Sequence, residues 1–248
     1  MSLWRLELLR MIRTHRWVIL VGVYGFFGVL GPVTGRYMAE IVGNFAGEVT
    51  IEVPDPRPVD GILQFVSNTT QLGLLAVVIV AASALAIDAR IEVSAFLRTR
   101  VDHTRRLLVP RFVAVAATAT LALVAGTGIA WSLTAILLGG LPAADMLLGT
   151  VFGALYLAFA VAVVAAAGAI VRGMLPTVFA ALTVLIALPL IGVIPPVGPW
   201  LPSHLVNAVV ALVEGAPATD FLRAAGVAIV STPALLALAS WRSERREL

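Results

Sequence analysis

An all-α integral membrane protein with six transmembrane helices is the fold this sequence predicts, and three observations predict it. Six apolar stretches are each long enough to approach or exceed the roughly 20 helical residues that cross a bilayer core of about 30 Å. Apolar residues make up 60% of the 248, and mean hydropathy is +1.01, which no water-soluble domain of this length would carry. The basic residues are all arginine, and fourteen of the seventeen fall in every second segment between the apolar stretches.

Residues 1–16 come first. At 100° per residue Trp4, Leu8, Met11, Ile12 and His15 fall on one stripe, with Arg5, Arg10, Arg13 and Arg16 around the other side. This pattern predicts an amphipathic helix lying in the membrane interface, with Trp4 at headgroup depth. The first span covers Trp17 to Val33. It is read as a mature span and not a signal peptide, because the run is long, five more follow, and Gly35, Arg36 and Tyr37 offer no small-residue cleavage pattern. Gly22, Gly25, Gly28 and Gly31 recur along it as a strip without side chains, which permits close helix approach, either to another subunit or within the chain.

An external loop, 34–61, leads to the second span, Ile62 to Ile87. A charged loop, 88–111, follows, with Ile91, Ala95 and Leu97 spaced as in a short helix on the membrane face. The remaining spans are Phe112 to Leu138, Met146 to Val171, Thr177 to Ile194 and Leu222 to Trp241. Gly149 and Gly153 form a further small-residue pair in the fourth. Between the last two spans, 195–221, prolines at 195, 196, 199 and 202 forbid a continuous helix. Ser203 can cap a new one, and the apolar run after it is too short to cross, so short re-entrant helices are expected there. Residues 17–248 thus form a single six-span domain after the interfacial helix.

Sorting the arginines sets orientation, because arginine in short loops is retained on the cytoplasmic side. Both termini are predicted cytoplasmic, in a multi-pass protein of a bacterial inner (plasma) membrane. The positive charge describes this sorting and points to membrane lipid, not to nucleic acid. Cysteine is absent, which excludes disulfides and thiolate metal sites. No Asp, Glu, His or Lys occupies the central part of a span, so coupling to an ion gradient is not expected. Hydroxyls such as Ser83, Thr118, Thr120, Thr127, Ser132, Thr134 and Thr183 can bond a carbonyl one turn back. With no lysine, no GxxxxGK[ST] phosphate loop exists, and nucleotide hydrolysis would belong to a partner.

The arginine-rich amphipathic start, a first span ending in Gly31-Pro32, the outer-loop stretch PDPRPVDGILQFVSNTTQLG from Pro54 to Gly73 and the charged second loop together resemble the transmembrane subunits of type-2 ATP-binding-cassette exporters. The resemblance covers nearly the whole chain. One departure is that members often carry Glu then Gly-Thr and a proline turn in the second loop, whereas this chain has Glu92-Val93-Ser94 and Arg100-Val101-Asp102. What the resemblance implies is a permease without enzyme activity or cofactor of its own. It would pair with a second copy or a paralogue and bind two cytosolic ATPase subunits, which hold the ATP and magnesium. The second loop would be the coupling helix, with Glu92, Phe96, Arg98, Arg100, Asp102 and Arg105 at the matching positions.

Two other classes compete. Asp88 and Glu92 share a helix face near Asp102 and His103, an arrangement open to a divalent ion for lipid- or phosphate-modifying chemistry, although Arg90, Arg98 and Arg100 stand close enough to neutralise the acids. Ser203-His204 without a GxSxG motif is a weak basis for proteolysis. A non-transporting scaffold or immunity protein would show the same spans.

Overall fold

The computed structural model describes residues 3–45, 55–85 and 105–245, and among these every regular element is helical. The first helix is α1 (Leu3–Arg13), which is separate from the first span because the backbone turns at Thr14-His15 and which packs against the third span. His15 has φ 53°, the left-handed conformation that closes a helix. The Thr14 hydroxyl donates to the Arg10 carbonyl at 2.7 Å, holding the last turn. Glycine adopts φ > 0 without the Cβ penalty, and a β-branched residue does so only under strain. His15→Gly is therefore expected to retain or raise the melting temperature in detergent, whereas His15→Val should destabilise the α1 junction by about 1–2 kcal/mol.

The first span is α2 (Arg16–Phe45), and it is longer than the sequence predicts. Pro32 was expected to mark its end, yet the helix runs on through Gly35 and beyond. Proline inside a membrane helix is tolerated where neighbours fill the space and satisfy the freed groups. Here Thr34 donates to the carbonyls of Leu30 and Gly31 at 2.8 and 2.9 Å, and Gly61 of the next span lies against Pro32. The expected external loop, 34–61, is thus helical over much of its length.

The second span is α3 (Pro58–Asn68), a π-helical turn (Thr69–Gly73) and α4 (Leu74–Leu85) in one continuous rod. Most of the stretch Pro54–Gly73, read from sequence as outer loop, is inside this rod. Asp60 accepts a hydrogen bond from the Arg57 backbone at 2.7 Å, which starts the helix four residues before the predicted Ile62. The π turn has a local cause. The Thr69 and Thr70 hydroxyls each take a backbone carbonyl one turn back, Phe65 and Val66, at 2.7 Å. Those bonds compete with the ladder, and the Leu74 N–H reaches the Thr69 carbonyl five residues earlier.

The other spans are α5 (Arg105–Leu137), α6 (Ala143–Ile170), α7 (Met174–Ile191) and α9 (Thr219–Glu244). Since α5 starts at Arg105, the last residues of the predicted loop 88–111 are already helical. A three-residue link joins α6 to α7, possible because Gly173 takes φ 93°. Between α7 and α9 lie 3₁₀ turns at Gly198–Trp200 and Pro202–Asn207, then α8 (Ala208–Val213). The prolines break the chain there as expected. Ser203 does not cap a helix, however: it sits buried inside the second turn, whose first flanking residue is Leu201, because Pro202 itself opens that turn.

Six helices, Arg16–Met38, Pro58–Leu85, Leu107–Leu137, Ala143–Ile170, Met174–Ile191 and Thr219–Glu244, are long and apolar enough to cross a membrane. Helix α6 is the hub, touching α4, α5, α7, α8 and α9. Its run Phe159–Ala167 is buried throughout, and the alanines let neighbours approach closely where lipid offers no hydrophobic drive to pack. The other main seam joins α2 to α5. There a Cβ on Gly28 would stand 2.6 Å from the Gly126 carbonyl oxygen, and one on Gly126 would stand 2.7 Å from the Tyr24 carbonyl.

Candidate functional site

The second span carries Ser67-Asn68-Thr69-Thr70-Gln71 through its middle, and the π turn rotates part of that run toward α6 and α7. The result is a groove of about 700 Å³. Ser67, Thr70 and Gln71 form one polar edge, and Ser203 and Asn207 from the turns before α8 form another. Leu182, Leu185, Ile186, Pro189 and Leu190 of α7 make an apolar wall. Gln71, Asn207 and Ile186 are exposed at its mouth, so the groove opens sideways from the helix bundle.

Behind it is a small chamber of about 50 Å³, lined by Tyr24, Thr69, Thr127, Thr150 and Tyr156 together with Gly149 and Gly153. The two spaces share Thr70, Leu74, Tyr156 and Val206, which form the wall between them. Glycines make the chamber possible. The Tyr24 ring lies where a side chain on Gly73 would meet it at 3.2 Å, and Val209 of α8 lies against Gly149. The Thr70 and Thr150 hydroxyls are spent on carbonyls one turn back. The Thr127 hydroxyl is buried and has no partner among the described residues. Among the described residues, no acidic or basic side chain lines either space.

At the end of the spans where α1 lies, a second polar constellation forms. Arg111 of α5, buried among the helices, places Nε 2.9 Å from Glu7 Oε1 of α1. Arg10 reaches the other Glu7 oxygen at 3.7 Å. Arg16 donates from Nη2 to the Ser83 carbonyl at 3.3 Å, and its Nη1 is buried without a partner. At the opposite end, Arg57 pairs with Asp60 at 3.4 Å and lies 3.9 Å from Glu214, tying the start of α3 to the end of α8. The His204 ring stacks on Phe221 at 5.0 Å, and Arg223 lies over Trp200.

Of the residues singled out from sequence, Glu92, Phe96, Arg98, Arg100 and Asp102, with Asp88 and His103, lie outside the described residues. Arg105 opens α5, where Nε donates to Ser240 Oγ of α9 at 3.1 Å. The stripe on α1 divides. Met11 is buried against the spans, while Trp4, Leu8 and Ile12 are exposed. Along α2, Gly28 and Gly31 face this chain's own α5 and α3, Gly25 approaches Ile129, and Gly22 faces open space. Ser203 and His204 point into different surroundings, the groove and the Phe221 ring.

Sequence reasoning missed two features. The polar run 67–71 falls inside the predicted second span, Ile62 to Ile87, but drew no functional reading, although five consecutive polar residues in the middle of an apolar run were visible. Glu7 was passed over, although it is the single acid among the first sixteen residues. Among the described residues, no cluster of three or more His, Asp or Glu could hold a metal ion. No family model matches the sequence, and no curated protein matches it.

Proposed function

We propose that the chain is the permease subunit of a type-2 ATP-binding-cassette exporter in a bacterial-type inner membrane, with both termini cytoplasmic. Two cytosolic ATPase subunits and a second permease would complete it. The cargo would be a hydrophobic or amphipathic molecule. One observation carries the reading. A sideways-opening groove with a polar edge and an apolar wall suits a molecule that is part hydrocarbon and part hydrogen-bonding. The lack of acidic or basic lining leaves that groove no ion to couple to, so the driving energy must enter from outside the spans.

Three further features support it. The interfacial helix is anchored by Glu7 to the start of the third span, directly after the segment proposed to couple to the ATPase. Arginine density supports a cytoplasmic position for that segment. The broken, short helices before α9 occupy the opposite end, as re-entrant external helices would.

The test is a charge-conserving exchange. Swapping Glu92 with Arg98, and Asp102 with Arg105, keeps composition and the positive bias that sets topology. Like charges brought face to face at a docked interface cost several kcal/mol. The expected outcome is normal membrane insertion with loss of ATPase association in pull-downs. Ser240→Ala, which removes the Arg105 partner alone, should leave association intact. An exchanged protein that still holds an ATPase would reduce the segment to a topological anchor.

A further inference from the structure

The arginine cluster beneath α1 holds, among the described residues, more positive charge than its acids neutralise. Among the described residues, Arg10, Arg16 and Arg111 converge there and Glu7 is the one carboxylate between them. Glu7 is already shared by Arg111 at 2.9 Å and Arg10 at 3.7 Å. Among the described residues, Arg16 is left with a single neutral acceptor, the Ser83 carbonyl, and with Nη1 shut away from solvent and without a partner. An unpaired N–H on a sheltered cation is costly, and an anion at its open edge relieves that cost by drawing the guanidinium outward. Arg16 is also the first residue of α2, so the positive end of that helix adds to the field.

We propose that Arg16, with Arg10 beside it and the charge of the buried Arg111 behind, forms a phosphate site that holds the headgroup of an anionic phospholipid. The chemistry is that of a phosphate oxygen meeting guanidinium forks. Lipid is the source the surroundings favour. Leu8 and Ile12 on α1 and Trp17, Val18 and Ile19 on α2 are exposed on either side of the cluster, so acyl chains can run along apolar surface from the notch. Basic pockets between membrane helices are recurrent binding places for acidic headgroups. The bound phosphate would complete the seat of α1 against α5, a role independent of the exporter reading.

The test uses the whole chain in nanodiscs of phosphatidylcholine with a minor fraction of phosphatidylglycerol, released for native mass spectrometry. The wild type is expected to retain phosphatidylglycerol over phosphatidylcholine by roughly tenfold. Arg16→Gln should abolish that preference, Arg16→Lys should keep part of it, and Arg13→Gln, on an exposed arginine outside the cluster, should keep all of it. Excess inorganic phosphate added before release should leave the retained lipid unchanged. Phosphate that displaces the lipid would overturn the lipid assignment in favour of an ion taken from solution. Equal retention of the two lipids by the wild type, or full preference in Arg16→Gln, would overturn the site.

Discussion

Replacing Gly126 by leucine is expected to abolish the folded protein. The seam between α2 and α5 is a backbone contact: a Cβ at Gly126 would meet the Tyr24 carbonyl oxygen at 2.7 Å and carbon at 3.0 Å. A side-chain neighbour could rotate away, but a helix backbone can yield only by moving the span. That opens the seam along its length and strips its van der Waals contacts, which in lipid supply much of the association energy. The cost is about 3 kcal/mol or more, at the upper end for overpacking. It also displaces Tyr24 from the chamber wall. Gly22→Ala is the control, since a Cβ there meets nothing within 4 Å. Its effect should stay within about 1 kcal/mol and favour the helix. Size-exclusion of a fluorescent fusion checks both: Gly126→Leu should lose the monodisperse peak and Gly22→Ala should keep it. A stable, monodisperse Gly126→Leu would mean that α2 and α5 do not meet there.

The glycine strip shows how far sequence reasoning reaches. Spacing alone marks Gly22, Gly25, Gly28 and Gly31 as a face for close approach, because a missing side chain is visible in the letters. Which partner fills the gap is a tertiary fact, and for Gly28 and Gly31 it is this chain's own α5 and α3. The six spans were legible because hydropathy accumulates over some twenty residues and survives errors at the ends. The ends themselves were not. Pro32 and the Asn68-Thr69-Thr70 run carry loop chemistry in water, whereas packed helices can accommodate both, the first beside Gly61 and the second as a π turn. Most of the candidate groove was hidden as well, since which helices and turns close around the polar run 67–71 is a tertiary fact.

The second large effect is expected at Glu7. Removing its charge leaves Arg111, which is 7% exposed, without its partner. Breaking one half of a buried pair costs roughly 3–5 kcal/mol, because the remaining charge stays sheltered from solvent. Glu7→Gln should accordingly lower the melting temperature and release α1 from the start of α5. Hydrogen exchange of the 3–13 amides should rise to that of an unanchored helix. Arg111→Gln should do the same, and the exchange Glu7→Arg with Arg111→Glu should recover part of the loss. In a double-mutant cycle the two sites should be strongly coupled. Additive effects would mean that α1 is held by Met11 and lipid alone, with the ion pair incidental.

The most direct measurement of the central claim is transport in proteoliposomes. The purified chain alone is expected to hydrolyse no ATP and to move no cargo along a proton gradient. With an ATPase captured with the chain from native membranes, as the proposed exporter requires, ATP should drive export of an amphipathic cargo, and Gln71→Leu with Asn207→Leu in the groove should change which cargo is moved. Hydrolysis by the chain alone, or transport driven by a proton gradient and indifferent to ATP, would contradict it.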